Sequence, residues 1–295
     1  MNNHLRAAVE HALTHQLGEP ISISHVEVIH GGCINSTFKI AASSNAHFFL
    51  KSNAQAPEGM FEAETEGLEA ILQTSSIRCP RPLAISDSDF SPAFLILEFI
   101  RSAPQSAKFA ELLGRGLAQM HRSTADRFGF ENDNYIGSSP QCNEWSAAWP
   151  EFFARARLGF QLKLLQKKGR ATGELEQRLT KLIEKLPDLI GRHNPPPSLL
   201  HGDLWGGNVI SDESGAPVII DPAVYYGDRE VDLAMTELFG RFDPAFYAAY
   251  REAYPLPDGY DLRRDVYNLY HLMNHLLIFG LSYMGGLMDI LRRYT

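Results

Sequence analysis

The chain is poor in cysteine. Its 295 residues hold three, Cys33, Cys79 and Cys142. No two form a CxxC pair, and an odd count at wide spacing excludes a disulfide framework. The N-terminus carries no export signal by its pattern, so a reducing, cytoplasmic setting is expected. The chain is also short of positive charge, with 27 Lys and Arg against 35 Asp and Glu and a net charge of −8. Phosphate backbones recruit basic surfaces, so no nucleic-acid partner is expected. No long apolar run is uninterrupted. Val266 to Leu291 comes nearest, but Asn268, His271, Asn274, His275 and Asp289 fall inside it. Polar groups are costly in lipid, so this segment reads as a buried helix pair and no membrane partner is expected. Low-complexity segments and internal repeats are absent, and nothing has the composition of disorder.

What is present is enough for a substantial core. Hydrophobic residues make up 44% of a chain longer than one ordinary domain, which predicts two lobes. Leu5, Val9, Ala12 and Leu17 recur at helical spacing in an amphipathic first helix. Three alternating, β-branched runs follow, Ile21 to Ile29, Ser36 to Ala41 and His47 to Ser52, as in an antiparallel meander. Phe61 to Leu72 reads as a helix, Cys79-Pro80-Arg81-Pro82 breaks the chain, and Ala93 to Ile100 reads as a buried strand. From there the pattern is mainly helical, over Lys108 to His121, Glu144 to Lys168 and Glu174 to Ile190, with Pro187 kinking or shortening the last turn. Short strands at Leu199-Leu200, Val209-Ile210 and Val218 to Ile220 interrupt it. The expected fold is α+β: a small β-rich N-lobe with an antiparallel sheet over residues 1–100, and a larger, mainly helical C-lobe over 101–295.

The chemistry concentrates in His201 to Asn208, HGDLWGGN, with Asp221 thirteen residues beyond. The H-x-D-x-x-x-x-N spacing matches kinase catalytic loops. Asp203 can orient an acceptor hydroxyl and take its proton. Asn208 and Asp221, the latter at the end of an apolar strand, offer oxygen ligands to magnesium against the phosphates of ATP. His201 reads as a prop for the loop, and Gly206-Gly207 as a tight turn. The alternative is a polar turn with capping roles for Asp and Asn. The N-lobe supplies complementary parts that argue against it. Lys51 follows the apolar Phe48-Phe49-Leu50 and suits the α- and β-phosphates, and Glu62, Glu64 and Glu66 on the next helix compete to pair with it. Lys39 is a rival lysine expected to face solvent. Gly31-Gly32, between two strands, suits a phosphate-covering turn, although no GK[ST] follows. Glu98 to Ile100 closes the apolar strand where backbone groups can read an adenine edge.

Taken together, the chain resembles the fructosamine kinase (ketosamine-3-kinase) family, a branch of the aminoglycoside phosphotransferase-like kinases. The resemblance rests on GGCINSTFKI, FFLKSN, FEAETEGL, LILEFI, DNYIGSSPQ, EFFARARL, LLHGDLWGGN, DPAVYYGDREVDLAM and YHLMNHLLIFG, spread over nearly the whole chain. Trp205 and the YYGDREVDLAM extension are its specific parts. It implies a bilobal protein-kinase-like fold and ATP-dependent phosphorylation of the 3-hydroxyl of a ketosamine, a glycated amine, after which the adduct eliminates and frees the amine. Carried over by position, Asp203 is the base, Asn208 and Asp221 bind magnesium, and Lys51 and Glu64 anchor phosphate. Glu98 and Ile100 form the adenine hinge, and Asp232 braces the catalytic loop. Trp205, Asn274 and His275 are candidates for the sugar pocket, with a satisfied helix-pair histidine as the alternative for His275. The resemblance also carries a cysteine at position 33, so Cys33 is a candidate redox switch through an intersubunit disulfide, in a monomer or homodimer. Two rival functions remain: a kinase for another hydroxylated amine or sugar, such as an aminoglycoside or choline, and a nucleotide-binding pseudokinase. The full set of Lys51, Asp203, Asn208 and Asp221 argues against the pseudokinase.

Overall fold

The computed structural model describes residues 1–29, 34–171 and 173–295. Helix α1 (Asn3–Leu17) begins where the Asn2 side chain accepts the Leu5 N–H at 2.8 Å. Its Leu5, Val9 and Leu13 lie on one face and are buried. Strands β1 (Ile23–Ile29), β2 (Ser36–Ala42) and β3 (His47–Asn53) form the expected antiparallel meander. Helix α2 (Met60–Thr74) follows, then β4 (Pro82–Ile85) and β5 (Ala93–Glu98). The five strands make one sheet in the order β1-β2-β3-β5-β4.

Strand periodicity decides what each face does. Phe38, Ile40, Leu50, Phe94 and Ile96 point to one side and form a core with Leu5, Val9 and Leu13 of α1. Leu95 and Leu97 point to the other and join Leu68 and Ile71 of α2. Both faces of β5 are therefore covered, which explains its continuous apolar run. Lys51 sits next to Leu50, so alternation turns it away from the α1 core and toward α2.

The helical part starts with α3 (Phe109–Met120), followed by the hairpin β6 (Asn134–Ile136) and β7 (Ser139–Gln141). The helix expected from Glu144 begins five residues late, as α4 (Trp149–Phe152). Ser146 is held in an extended two-way backbone pair with Phe128 (2.9 and 2.8 Å), and Pro150 fits the first helical turn, where its missing N–H costs nothing. A π-helical stretch, Phe153–Gly159, continues into α5 (Phe160–Lys167). Helix α6 (Gly173–Ile190) runs through Pro187 to its predicted end.

Strands β8 (Ser198–Leu200), β9 (Val209–Ser211), β10 (Pro217–Ile219) and β11 (Tyr225–Gly227) frame the candidate loops. β9 pairs with β10 and β8 with β11. Helices α7 (Glu230–Leu238), α8 (Pro244–Ala253), α9 (Tyr260–Phe279) and α10 (Met284–Tyr294) complete the chain. Helix α8 packs on α3 at Gly114, where a Cβ would lie 2.3 Å from the Phe246 carbonyl oxygen. A third core gathers Trp149, Phe152, Leu179, Leu186, Tyr267, Met273 and Leu291. The polar segment from Val266 is α9 and α10, and among the described residues no helix is long and apolar enough to cross a membrane.

Candidate active site

The HGDLWGGN loop is held from beneath by a buried carboxylate. Asp232, in the first turn of α7, accepts the backbone N–H of His201 at 2.7 Å and that of Gly202 at 2.9 Å. Its Oδ2 also meets Nε2 of buried His121 at 3.0 Å, and His121 Nδ1 lies 2.8 Å from the Tyr250 hydroxyl. Burial works against the Asp232 charge, but the His121 contact and the loop amides outweigh it and hold the carboxyl below the usual carboxylate range. His201 is the expected prop. Its Nε2 donates to the Ile220 carbonyl at 2.9 Å, and its Nδ1 accepts the Asp203 N–H at 3.3 Å. Burial lowers its pKa, consistent with this neutral tautomer. The left-handed turn falls at Gly202 (φ 82), where a Cβ would stand 2.0 Å from the Ala223 carbonyl oxygen. Gly206-Gly207 form the expected tight turn, closed by the Asn208 N–H on the Trp205 carbonyl at 2.9 Å, without positive φ. A Cβ on Gly207 would strike the Trp205 indole at 2.3 Å, whereas Gly206 faces open space.

Asp203 is half-buried and faces the cleft. Its pKa is pushed up to about 7, first by burial and then by Asp221 and Asp232, against the Asn208 bond that lowers it. The Asn208 amide nitrogen donates to the Asp203 carbonyl at 2.8 Å and to its carboxylate at 3.2 Å. That fixes the amide and leaves Oδ1 able to accept a ligand. Asp221 adopts φ 56, a left-handed conformation that Asp tolerates better than most residues. Its carboxylate accepts from Lys51 Nζ at 2.6 Å, and Glu64 accepts from the same ammonium at 2.5 Å. Glu64 is thus the partner among the three competing glutamates, and Glu66 instead binds Asn132. Burial alone would depress Lys51, but Asp221 and Glu64 more than offset it and hold it charged. The site therefore fits a magnesium-bound nucleotide: two oxygen donors, Asn208 and Asp221, stand beside a buried cation.

One cavity of about 630 Å³ joins these groups. Lys51, Glu64, Glu98 and Ile100 line it, as do Asp203, Asn208 and Asp221. Trp205, Asn274 and His275 line it as well, so the residues proposed for the sugar share one space with those proposed for the nucleotide. His275 lines the cavity and is at the same time the satisfied helix-pair histidine of the alternative reading. Its Nδ1 bonds the His271 carbonyl at 2.8 Å and its ring packs between Phe239, Phe279 and Tyr283. Lys39 departs from expectation. It lies on the same sheet face as Lys51, pairs with Glu27 at 3.6 Å and covers the Phe99 ring, so it is half-buried. Gly31, Gly32 and Cys33 lie outside the described residues. Asn134, Tyr135, Ile278 and Phe279 also line the cavity and had not been singled out. The segments that hold them, DNYIGSSPQ and YHLMNHLLIFG, entered the sequence reading only as parts of the family resemblance.

The sequence pattern of the fructosamine kinase family matches residues 5–295. A probable ketoamine kinase of Synechocystis is 40% identical over 277 residues, covering 94% of this chain and 92% of that protein. A chloroplastic protein-ribulosamine 3-kinase of Oryza sativa subsp. japonica is 42% identical, covering 94% and 80%. The crystal structure of a Haemophilus somnus protein, provisionally named a fructosamine-3-kinase, superposes with a TM-score of 0.91 at 30% identity and 99% coverage of both chains. A thermostable mutant of aminoglycoside phosphotransferase APH(4)-Ia shares the fold, with a TM-score of 0.63 at 14% identity and 96% and 98% coverage. The small sheet lobe and larger helical lobe are those of this protein-kinase-like fold. The chain belongs to the fructosamine kinase family.

Proposed function

We propose that the protein is an ATP-dependent kinase that phosphorylates the 3-hydroxyl of ketosamines and so initiates their deglycation, with the residues of the shared cavity in the following roles. Asp203 orients the 3-hydroxyl and takes its proton as the oxygen attacks the γ-phosphorus, with ADP as the leaving group. Its pKa near 7 suits a group that must be ionised before the step and protonated after it. Lys51, positioned by Glu64, anchors the α- and β-phosphates. Asn208 and Asp221 would hold magnesium, which when bound supplies charge neutralisation at the phosphates. The backbone of Glu98 to Ile100 reads the adenine. Residues 1–100 act as the nucleotide-covering lobe and 101–295 as the catalytic and acceptor lobe. The cytoplasmic setting, expected from the unpaired cysteines, belongs to the same proposal.

The observation that carries the acceptor assignment is the chemistry of the cavity wall beyond Asp203. Asn134, Tyr135, Asn274, His275, Ile278 and Phe279 are uncharged or apolar, and the carboxylates that line the same cavity, Glu64, Glu98, Asp203 and Asp221, are those assigned above to the nucleotide, the metal and the base. With Nδ1–H given to the His271 carbonyl, the neutral His275 ring presents Nε2 as an acceptor. Burial lowers its pKa and keeps it neutral. A wall of this kind suits a sugar hydroxyl chain attached to a single amine. A polycationic aminoglycoside calls for opposing carboxylates. The test is a panel of fructosamine, ribulosamine, choline and kanamycin with ATP and magnesium, read as ADP formed. Turnover confined to the two ketosamines is expected, and turnover of kanamycin or choline without either ketosamine would reject the assignment.

A further inference from the structure

The β9–β10 hairpin has two ends with different duties. At its root stand the two candidate metal ligands, with Asn208 just before β9 and Asp221 two residues after β10. The root is closed by the Ile220 N–H, which donates to the Asn208 carbonyl at 3.0 Å. At its tip, Asp212 Oδ1 accepts the Ser214 N–H (2.8 Å), the Ser214 hydroxyl (2.7 Å) and the Ala216 N–H (2.9 Å). These bonds fix the carboxylate and leave Oδ2 aimed outward.

That oxygen meets Arg78, which arrives from the other lobe in the α2–β4 connection. Arg78 Nη1 donates to Asp212 Oδ2 at 2.9 Å and to both Glu213 oxygens at 3.2 Å, and Nη2 donates to Glu98 Oε1 at 2.9 Å. The Arg78 carbonyl accepts the Ile219 N–H at 3.0 Å. The other Glu98 oxygen accepts the Arg81 N–H at 3.3 Å. One guanidinium thus joins the hinge residue Glu98 to the hairpin that carries Asn208 and Asp221. The chain leaving the hinge runs along the same hairpin, where Ala103 N–H donates to the Asp212 carbonyl (3.2 Å) and Ser106 N–H to that of Gly215 (3.0 Å).

The ion pairs stand partly in water, with about a third of the Arg78 side chain exposed. Exposed pairs of this kind contribute little to global stability. Without the guanidinium, however, Glu98, Asp212 and Glu213 would repel one another across the lobe boundary. We propose that Arg78 is a positioning residue, a clamp that sets the adenine hinge in register with the metal-ligand hairpin. This inference rests on the reading that ATP occupies the cleft between them.

The test compares Arg78→Met, Arg78→Lys, Asp212→Asn and the Met/Asn double variant. The readouts are AMP-PNP affinity by calorimetry, KM and kcat for each substrate, and Tm. Arg78→Met is expected to weaken nucleotide affinity and lower kcat by about tenfold. The ketosamine KM should stay unchanged and Tm should shift by a few degrees at most. Arg78→Lys should recover part of the loss, and adding Asp212→Asn to Arg78→Met should cost nothing further. Wild-type nucleotide affinity and kcat in Arg78→Met, or losses that track unfolding and are equal in Arg78→Lys, would overturn the clamp. Should the wild type turn over no ketosamine, the substrate assignment fails, and the AMP-PNP affinities still decide the role of Arg78.

Discussion

At Asp203, geometry and electrostatics agree. The side chain is half-buried at the cleft, tied to Asn208, and poised near neutrality by burial and by two neighbouring carboxylates. Replacing it by Asn keeps the size and the Asn208 contact but removes the proton acceptor. Asp203→Asn is expected to lower kcat by roughly 10²–10⁴-fold, the usual worth of a positioned base, with nucleotide affinity near wild type. A kcat within threefold of wild type would remove Asp203 from the role. Much of this site is visible in the sequence because its spacings are local: Asp203 to Asn208 spans one loop, and Asp221 lies just past the hairpin that follows. The choice of Glu64 over Glu62 and Glu66 was not settled by periodicity, since three acidic residues crowd one helix. Only the family resemblance pointed to Glu64, and the fold bears it out by bringing Lys51 to Glu64 across thirteen residues and to Asp221 across 170.

Among the elements, long and strongly patterned segments were legible, as were the short apolar strands β8, β9 and β10, but other short ones were not. The meander, α2, α3 and α6 follow from apolar periodicity. Strands β4, β6, β7 and β11 have three or four residues each and, with Pro, Gly or polar residues among them, lack the apolar run that marks β8 to β10. The late start of α4 follows from a tertiary backbone pair between Ser146 and Phe128, which no local propensity signals. Arg78 was equally hidden, because its partners lie 20 and 134 residues away. Helix α6 offers an element-scale prediction. It runs through exposed Pro187, whose ring removes one backbone donor and crowds the preceding turn. Pro187→Ala should stabilise the protein by about 1–3 kcal/mol, less whatever the added freedom of the unfolded chain offsets. Thermal denaturation checks it, and unchanged kcat would place the effect in the helix alone. A lower Tm would show that the proline is matched to a bend the helix needs.

The whole molecule is built around three apolar cores and also buries polar groups, and this couples its stability to pH. His271 is buried in α9, and burial, with nearby His275, lowers its pKa to about 3. Among the described residues neither of its ring nitrogens finds a hydrogen-bond partner. In the unfolded chain the same ring titrates near 6.5. The folded state therefore refuses a proton that the unfolded state accepts, and stability present above about pH 6.5 is lost as pH falls toward 3. His271→Leu should flatten the acid limb of the stability curve by about 1.4 kcal/mol per pH unit between pH 6 and 4. Denaturant titrations of both proteins across that range measure the difference, and parallel curves would place the acid sensitivity elsewhere.

At this scale the central claim is that both lobes converge on one reaction, the transfer of a phosphoryl group from ATP to the 3-hydroxyl of a glycated amine. The most direct measurement is the phosphorus NMR spectrum of the protein incubated with a fructosamine, ATP and magnesium. The account predicts a new phosphomonoester at carbon 3, ADP in equal amount, and later release of the free amine. ADP and inorganic phosphate with the fructosamine unchanged, or a phosphate at another carbon, would contradict it.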